Sequence, residues 1–158
     1  MTALSYLHTQ KGILRPILLI CVAVCFVVAY FAWESPPLMP VFLAAGGVCT
    51  ALAFAFSRLT VCGEGERLAV RFGPIPLFRK AILLGEITNV EKTRSTFLAG
   101  WGIHLTRKGW LWNIGGFDCV RIETGEKSTL VGTDDPEGLV AFLKGRIGAN
   151  SERHEENR

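Results

Sequence analysis

PILLICVAVCFVVAYFAWESPPLMPVFLAAGGVCTALAFAF, residues 16–56, decides the architecture, because Glu34 is its only charged side chain. Pro16 to Trp33 and Pro37 to Phe56 are both free of charge. A bilayer core about 30 Å thick needs roughly 20 apolar residues in a helix, with about 17 to 25 tolerated. Both runs therefore predict membrane-spanning helices, joined by Glu34-Ser35-Pro36-Pro37. They account for a mean hydropathy of +0.33, high for a soluble chain. A cleaved signal peptide would use Lys11 and Arg15 as its basic region. Its apolar stretch is only about 7 to 15 residues, however, and a second span does not normally follow it.

Working outward, basic residues near the span ends set orientation. Lys11 and Arg15 precede the first span, the connecting turn has no basic residue, and Arg58, Arg67, Arg71, Arg79 and Lys80 follow the second. The expected placement is a cell inner (plasma) membrane with both termini cytoplasmic. The net charge of +3 is too modest to argue for nucleic acid. Small residues recur every fourth position on each span, as Cys21, Cys25 and Ala29 and as Gly47, Ala51 and Ala55. Such ridges let helices approach closely. They would face each other, or else one would face a second copy. With no ionisable residue inside either span, the hairpin reads as an anchor and not as a transport path. The five cysteines show no CxxC or zinc spacing and are expected reduced, without disulfide or metal.

Past Phe56 the period changes. In RLAVRF (67–72) Leu68, Val70 and Phe72 alternate with Arg67, Ala69 and Arg71, the pattern of a half-buried strand. LTVC before it is its hairpin partner across GEGE. Further strands are expected at Leu77–Arg79, Ile82–Leu84, Ile87–Thr93, Gly102–Thr106, Trp110–Ile114, Cys119–Glu123 and Thr129–Gly132. They make an antiparallel sheet system. A helix follows, with Asp135 as N-cap, Pro136 at its first position and an apolar stripe of Leu139, Phe142, Leu143 and Ile147. Lys144 and Arg146 would lie near its negative end. The organisation expected is a cytoplasmic segment over 1–12, a two-helix hairpin over 13–57, a mainly-β domain over 58–148 and a disordered tail over 149–158.

The order of strands closed by one helix, the GWGI at 100–103 and the GTDDPEGL at 132–139 resemble the pleckstrin-homology-like domains of small two-span bacterial membrane proteins. The resemblance covers about residues 59–148 and extends to the hairpin. It implies a partly open barrel of two antiparallel sheets capped by the C-terminal helix. No enzymatic activity or defined ligand comes with it.

Catalytic chemistry finds no support in the residues. His104 is the only one of three histidines in an expected folded element, and Cys119 reads as a buried thiol. No phosphate-binding or dinucleotide fingerprint occurs. Asp134 and Asp135 could suggest a cation site, but capping explains at least one of them. No cofactor and no small-molecule substrate are expected. GWGIHLTRKGWLWNIGG (100–116) remains, with three of the chain's four tryptophans. Alternation places Trp110, Trp112 and Ile114 on one sheet face, with Leu111 and Asn113 on the other. That aromatic face either fills the barrel or leaves a tryptophan beside Arg107 and Lys108 as a contact patch. The candidate contact residues are Arg79, Lys80, Trp101, Arg107, Lys108, Trp110 and Trp112. The functional expectation is a membrane-anchored, non-enzymatic interaction or scaffold module that meets a protein partner or a second copy. The alternative is a domain sensing anionic lipid through Arg79-Lys80 and Arg107-Lys108.

Overall fold

The computed structural model describes residues 6–35, 37–75, 78–96 and 100–156. A short strand β1 (Leu7–Lys11) leads into two helices, α1 (Leu14–Phe31) and α2 (Leu38–Ala55). Strands β2 (Arg58–Glu64), β3 (Arg67–Phe72) and β4 (Arg79–Leu83) follow, then a 3-10 turn at Leu84–Glu86. The chain continues through β5 (Asn89–Arg94), β6 (Gly102–Thr106), β7 (Gly109–Asn113), β8 (Asp118–Thr124) and β9 (Lys127–Gly132) to α3 (Pro136–Glu156).

α1 and α2 are long and apolar enough to cross a membrane, with mean hydropathies of 2.4 and 2.0. Only 6% and 17% of the two helices are buried, so neither is the core helix of the β-body. They pack on each other as a hairpin. On α1 the expected ridge holds in part: Ala29 is buried and Cys25 half-buried, but Cys21 is exposed. On α2 the expected ridge is corrected. Gly47 and Ala51 face outward and only Ala55 of the three is buried, while Gly46, Cys49 and Ala53 line the seam. A side chain on Gly46 would sit 3.4 Å from the Cys25 Cβ. Glycine lets the two backbones approach there.

The strands form two sheets, in the orders β1-β2-β3-β4 and β5-β8-β9-β7-β6, with no closed barrel among the described residues. All pairings are antiparallel except one. β7 and β9 run parallel, with Leu111 opposite Leu130. This corrects the expectation of purely antiparallel sheets. The β8–β9 hairpin returns beside β7 in the same direction, a non-sequential pairing that strand periodicity does not encode. The strands expected around 77–79 and 82–84 are one strand, β4, with Leu84 already in the 3-10 turn; Leu77 lies outside the described residues.

One apolar core lies between the sheets. Leu59, Val61, Leu68, Val70, Phe72 and Ile82 come from the first sheet, and Val90, Val120, Ile122 and Val131 from the second. Leu139 and Leu143 of α3 plug one end, both fully buried. Asp135 caps α3 as expected, its Oδ1 accepting from the Gly138 N–H at 3.0 Å. The helix does not stop at Gly148. It continues to Glu156, so the tail expected to be disordered is helical over 149–156. Nothing after Gly148 breaks the helix, and Ala149, Glu152, Arg153, Glu155 and Glu156 are of strongly or moderately helix-favouring types. Lys144 and Arg146 are consequently mid-helix.

Residues 6–12 of the expected N-terminal segment belong to the folded body. β1 pairs with β2 from Leu7↔Cys62 to Lys11↔Arg58. Alternate residues Tyr6, His8 and Gln10 then reach across to the rest of the body. Tyr6 donates to Asp135 Oδ2 at 3.3 Å and stacks on Phe142 at 5.5 Å. His8 pairs with the Asp134 carboxylate. Gln10 Nε2 donates to the Gly115 carbonyl at 2.9 Å. Burial and the Asp135 carboxylate push the Tyr6 hydroxyl well above its ordinary pKa.

Candidate functional site

The helical hairpin is an insertion between two neighbouring strands. Only Gly12 and Ile13 separate β1 from α1, and only Phe56 and Ser57 separate α2 from β2. Gly12 N–H donates to the Ser57 carbonyl at 2.9 Å, Ile13 N–H to Ile114 at 3.3 Å, and Gly73 N–H to Arg58 at 2.8 Å. A Cβ on Gly12 would lie 2.2 Å from the Phe56 carbonyl oxygen, so the joint closes only on glycine. The Phe56 ring meets Phe72 edge-on at 5.3 Å and stacks on Phe78 at 5.8 Å. The hairpin root is thus seated in the body's core, with no flexible linker.

Beside this root, on the outer face of the first sheet, lies a cleft of about 510 Å³. β1 register places Thr9 and Lys11 on that face, opposite Thr60 and Arg58. The remaining walls are Arg15 and Leu19 of α1, Thr50, Ala53 and Phe54 of α2, and Ser57 and Pro74. Three cations line it, no carboxylate does, and among the described residues Lys11, Arg15 and Arg58 enter no ion pair. Polarity is graded: the cations sit at the level of the sheet, while Leu19, Ala53 and Phe54 rise from it along the helices. An anion with an apolar tail matches both parts.

The residues singled out from sequence do not form one surface. Lys80 lies on β4 and its Nζ donates across the seam to Thr129 Oγ1 at 2.9 Å. Thr129 is the β9 partner of Trp110, which is 47% exposed. Arg107 and Lys108 form the tip of the β6–β7 hairpin, next to Gly109 and Trp110. Gly109 has φ +116°, and a Cβ there would lie 2.1 Å from the Ser128 carbonyl oxygen. The tip is thereby pressed against the start of β9, beside Lys127. Desolvation and the Lys127 charge lower the Lys80 pKa. Lys80, reaching over from β4, therefore joins Arg107, Lys108, Trp110 and exposed Leu105 at one end of the second sheet. Arg79 points to the other side of β4. Trp101 sits half-buried at the opposite end of β6, and Trp112 packs against Phe72 at 5.8 Å. The aromatic face is split: Ile114 and Trp112 belong with the core, and Trp110 emerges where the first sheet no longer covers it. From Gly109 to Asn113, β7 rises about 13 Å toward the hairpin root, at about 3.3 Å per residue.

Cys119 and His104 do not converge. β9 and β7 lie between their strands, a separation of about 14 Å at about 4.8 Å per strand. Burial raises the Cys119 thiol, the direction opposite to an activated nucleophile. Asp118 pairs with Arg94 at 3.2 Å. Asp134 is held by His8 and Asp135 by the helix N-terminus, and among the described residues no three His, Cys, Asp or Glu side chains gather as a metal site.

Sequence reasoning used Lys11, Arg15 and Arg58 only for orientation and missed them as a site. A signal was present. Cations flanking the outer ends of two antiparallel spans must come together wherever the connecting turn is short. No protein-family model matches the chain, and no curated protein does.

Proposed function

We propose that the chain is a membrane-anchored, non-enzymatic interaction module of the cytoplasmic membrane face, its body a pleckstrin-homology-like open barrel. The observation that carries this reading is the rooting of an outward-facing apolar hairpin, through two-residue joints, in adjacent strands of a folded body. Basic residues flank both roots and none lies in the connecting turn, which favours cytoplasmic termini. The module's partner-facing end is the patch of Lys80, Leu105, Arg107, Lys108 and Trp110, at the end of β7 away from the root. Exposed aromatic and basic groups of this kind suit an acidic protein surface. A photo-crosslinking residue in place of Leu105, in native membranes, is expected to give a discrete protein adduct that weakens when Arg107 and Lys108 are changed to Gln. Recovery of the uncrosslinked chain and lipid alone would refute the reading.

The second reading, recognition of anionic lipid, moves away from Arg79-Lys80 and Arg107-Lys108. Its support is the cationic cleft at the root, the basic cluster that directly adjoins the helices.

A further inference from the structure

We infer that the cleft at the hairpin root is a binding site for a single anionic phospholipid of the leaflet nearest that root. The inference rests on the membrane placement proposed above and adds to it a ligand class and named contacts. The shared chemistry is a phosphate-bearing anion, and three features assign it to a lipid.

The first is charge. Lys11, Arg15 and Arg58 converge from three separate elements, β1, α1 and β2, with no carboxylate among the ten lining residues. Converging cations left without counter-charge repel one another, and an anion relieves that repulsion. Arginine offers paired donors suited to phosphate oxygens, and lysine a point charge. The second feature is the neutral donors. Thr9 and Ser57 add hydroxyls to the same wall. Their partners differ: Thr9 Oγ1 already shares a hydrogen bond with Thr60 Oγ1 at 3.1 Å. The Thr50 hydroxyl is spent on the Gly46 carbonyl at 2.7 Å, so its contribution to the cleft is the methyl group. The third feature is the graded polarity. Leu19 stands one helical turn beyond Arg15, facing Ala53 and Phe54 across the groove. A soluble anion has no use for that apolar wall, whereas the first methylenes of an acyl chain would cover it. The volume of about 510 Å³ accommodates a headgroup and the start of its chains, not a whole lipid.

Because the cleft is lined by residues of β1, α1, α2 and β2 that flank the two joints, the bound lipid would bridge α1, α2 and the sheet, and so register the body against the bilayer surface. The distal basic patch has no share in this contact.

The full-length chain in nanodiscs of phosphatidylcholine, with phosphatidylglycerol at increasing fraction, tests the inference by native mass spectrometry of the lipids retained on release. Phosphatidylglycerol is expected to be retained in preference to phosphatidylcholine. The triple variant Lys11→Gln, Arg15→Gln, Arg58→Gln is expected to lose that preference by roughly fivefold per cation, on the order of 100-fold in all. A control pair, Arg107→Gln with Lys108→Gln, is expected to keep it. Thermal unfolding of the triple variant checks that the body remains folded. Equal retention of both lipids, or full retention by a folded triple variant, overturns the site. Competition by millimolar inorganic phosphate equal to that by added phosphatidylglycerol assigns the cleft to a free anion and overturns the lipid assignment. Failure of the chain to enter nanodiscs at all overturns instead the membrane placement on which the inference stands.

Discussion

Gly12→Ala tests the rigid joint most directly. The added Cβ would lie 2.2 Å from the Phe56 carbonyl oxygen, so the two roots must separate by about 1 Å before ordinary contact is restored. The closest obstacle is backbone, which cannot swing away, and the buried Ile114 side chain stands behind it at 3.2 Å. Overpacking of this kind costs about 1–3 kcal/mol. The same displacement stretches the 2.9 Å bond from Gly12 N–H to Ser57, worth about 0.5–1.5 kcal/mol. Replacing glycine also restricts the unfolded chain, an opposing gain of about 0.4–1 kcal/mol. The net expected loss is about 0.5–4 kcal/mol. For a chain of this length that lowers Tm by about 1–16 °C, centred near 7 °C. The assay is thermal unfolding of the detergent-solubilised protein followed by near-ultraviolet circular dichroism, which reports the tryptophans of the body. Gly85→Ala is the control, since a Cβ there meets nothing within 4 Å and is expected to change stability by less than about 0.5 kcal/mol. A Gly12→Ala protein that melts within a degree of the parent would show that the joint is slack and refute the rigid coupling.

Asp135→Ala removes the acceptor for the Gly138 N–H and for the Tyr6 hydroxyl, and is expected to cost about 1–2 kcal/mol in denaturant unfolding, with Asp135→Asn recovering most of the loss. Leu143→Ala, at a fully buried position of the plug, is expected to cost about 2–5 kcal/mol; a loss below 1 kcal/mol would mean that α3 does not fill the core. Stability is expected to fall at alkaline pH, because burial raises the thiols of Cys62 and Cys119. The folded state holds those protons longer than the unfolded chain, so their contribution is complete below the ordinary thiol value of about 8.5 and is lost as the pH rises through the folded values. Lys80, with its pKa lowered, works in the opposite sense. The double variant Cys62→Ala, Cys119→Ala should show a shallower decline from about pH 8.5 to 10, and an unchanged slope in stability against pH would contradict this account.

What the sequence made legible follows from what carries a period. The two long apolar helices are visible because absence of charge over eighteen residues or more is a one-dimensional property. β3 is visible because Leu68, Val70 and Phe72 are buried while Arg67 stays exposed. The N-cap at Asp135 is a local signal with a local cause. β1 was not legible, because its inward residues, His8 and Gln10, are polar. They satisfy Asp134 and a backbone carbonyl more than a hundred residues away, and no apolar alternation marks them. The parallel β7–β9 pairing is likewise a property of the assembled sheet. Trp110 and Trp112 share a strand face and yet differ in environment, since exposure depends on where the opposite sheet ends. Of the cleft, every cation could be seen in the sequence, but their meeting depends on β1 pairing with β2.

That pairing also explains why an insertion of this size is tolerated. Residues 12–57 separate β1 from β2, and closing a flexible loop of that length would cost about 3 kcal/mol. A three-stranded first sheet without β1 would then compete well, since β1 contributes no large buried apolar side chain. The helices change the balance. Once α1 and α2 have packed antiparallel, their roots are already adjacent, so the closure cost is carried by helix packing and β1 needs only to lie down beside β2. The first sheet is therefore complete only when the hairpin is formed. By the same linkage, anything that separates the two roots must unzip Lys11↔Arg58 and open the cleft, whereas an anion bridging Lys11, Arg15 and Arg58 holds both shut.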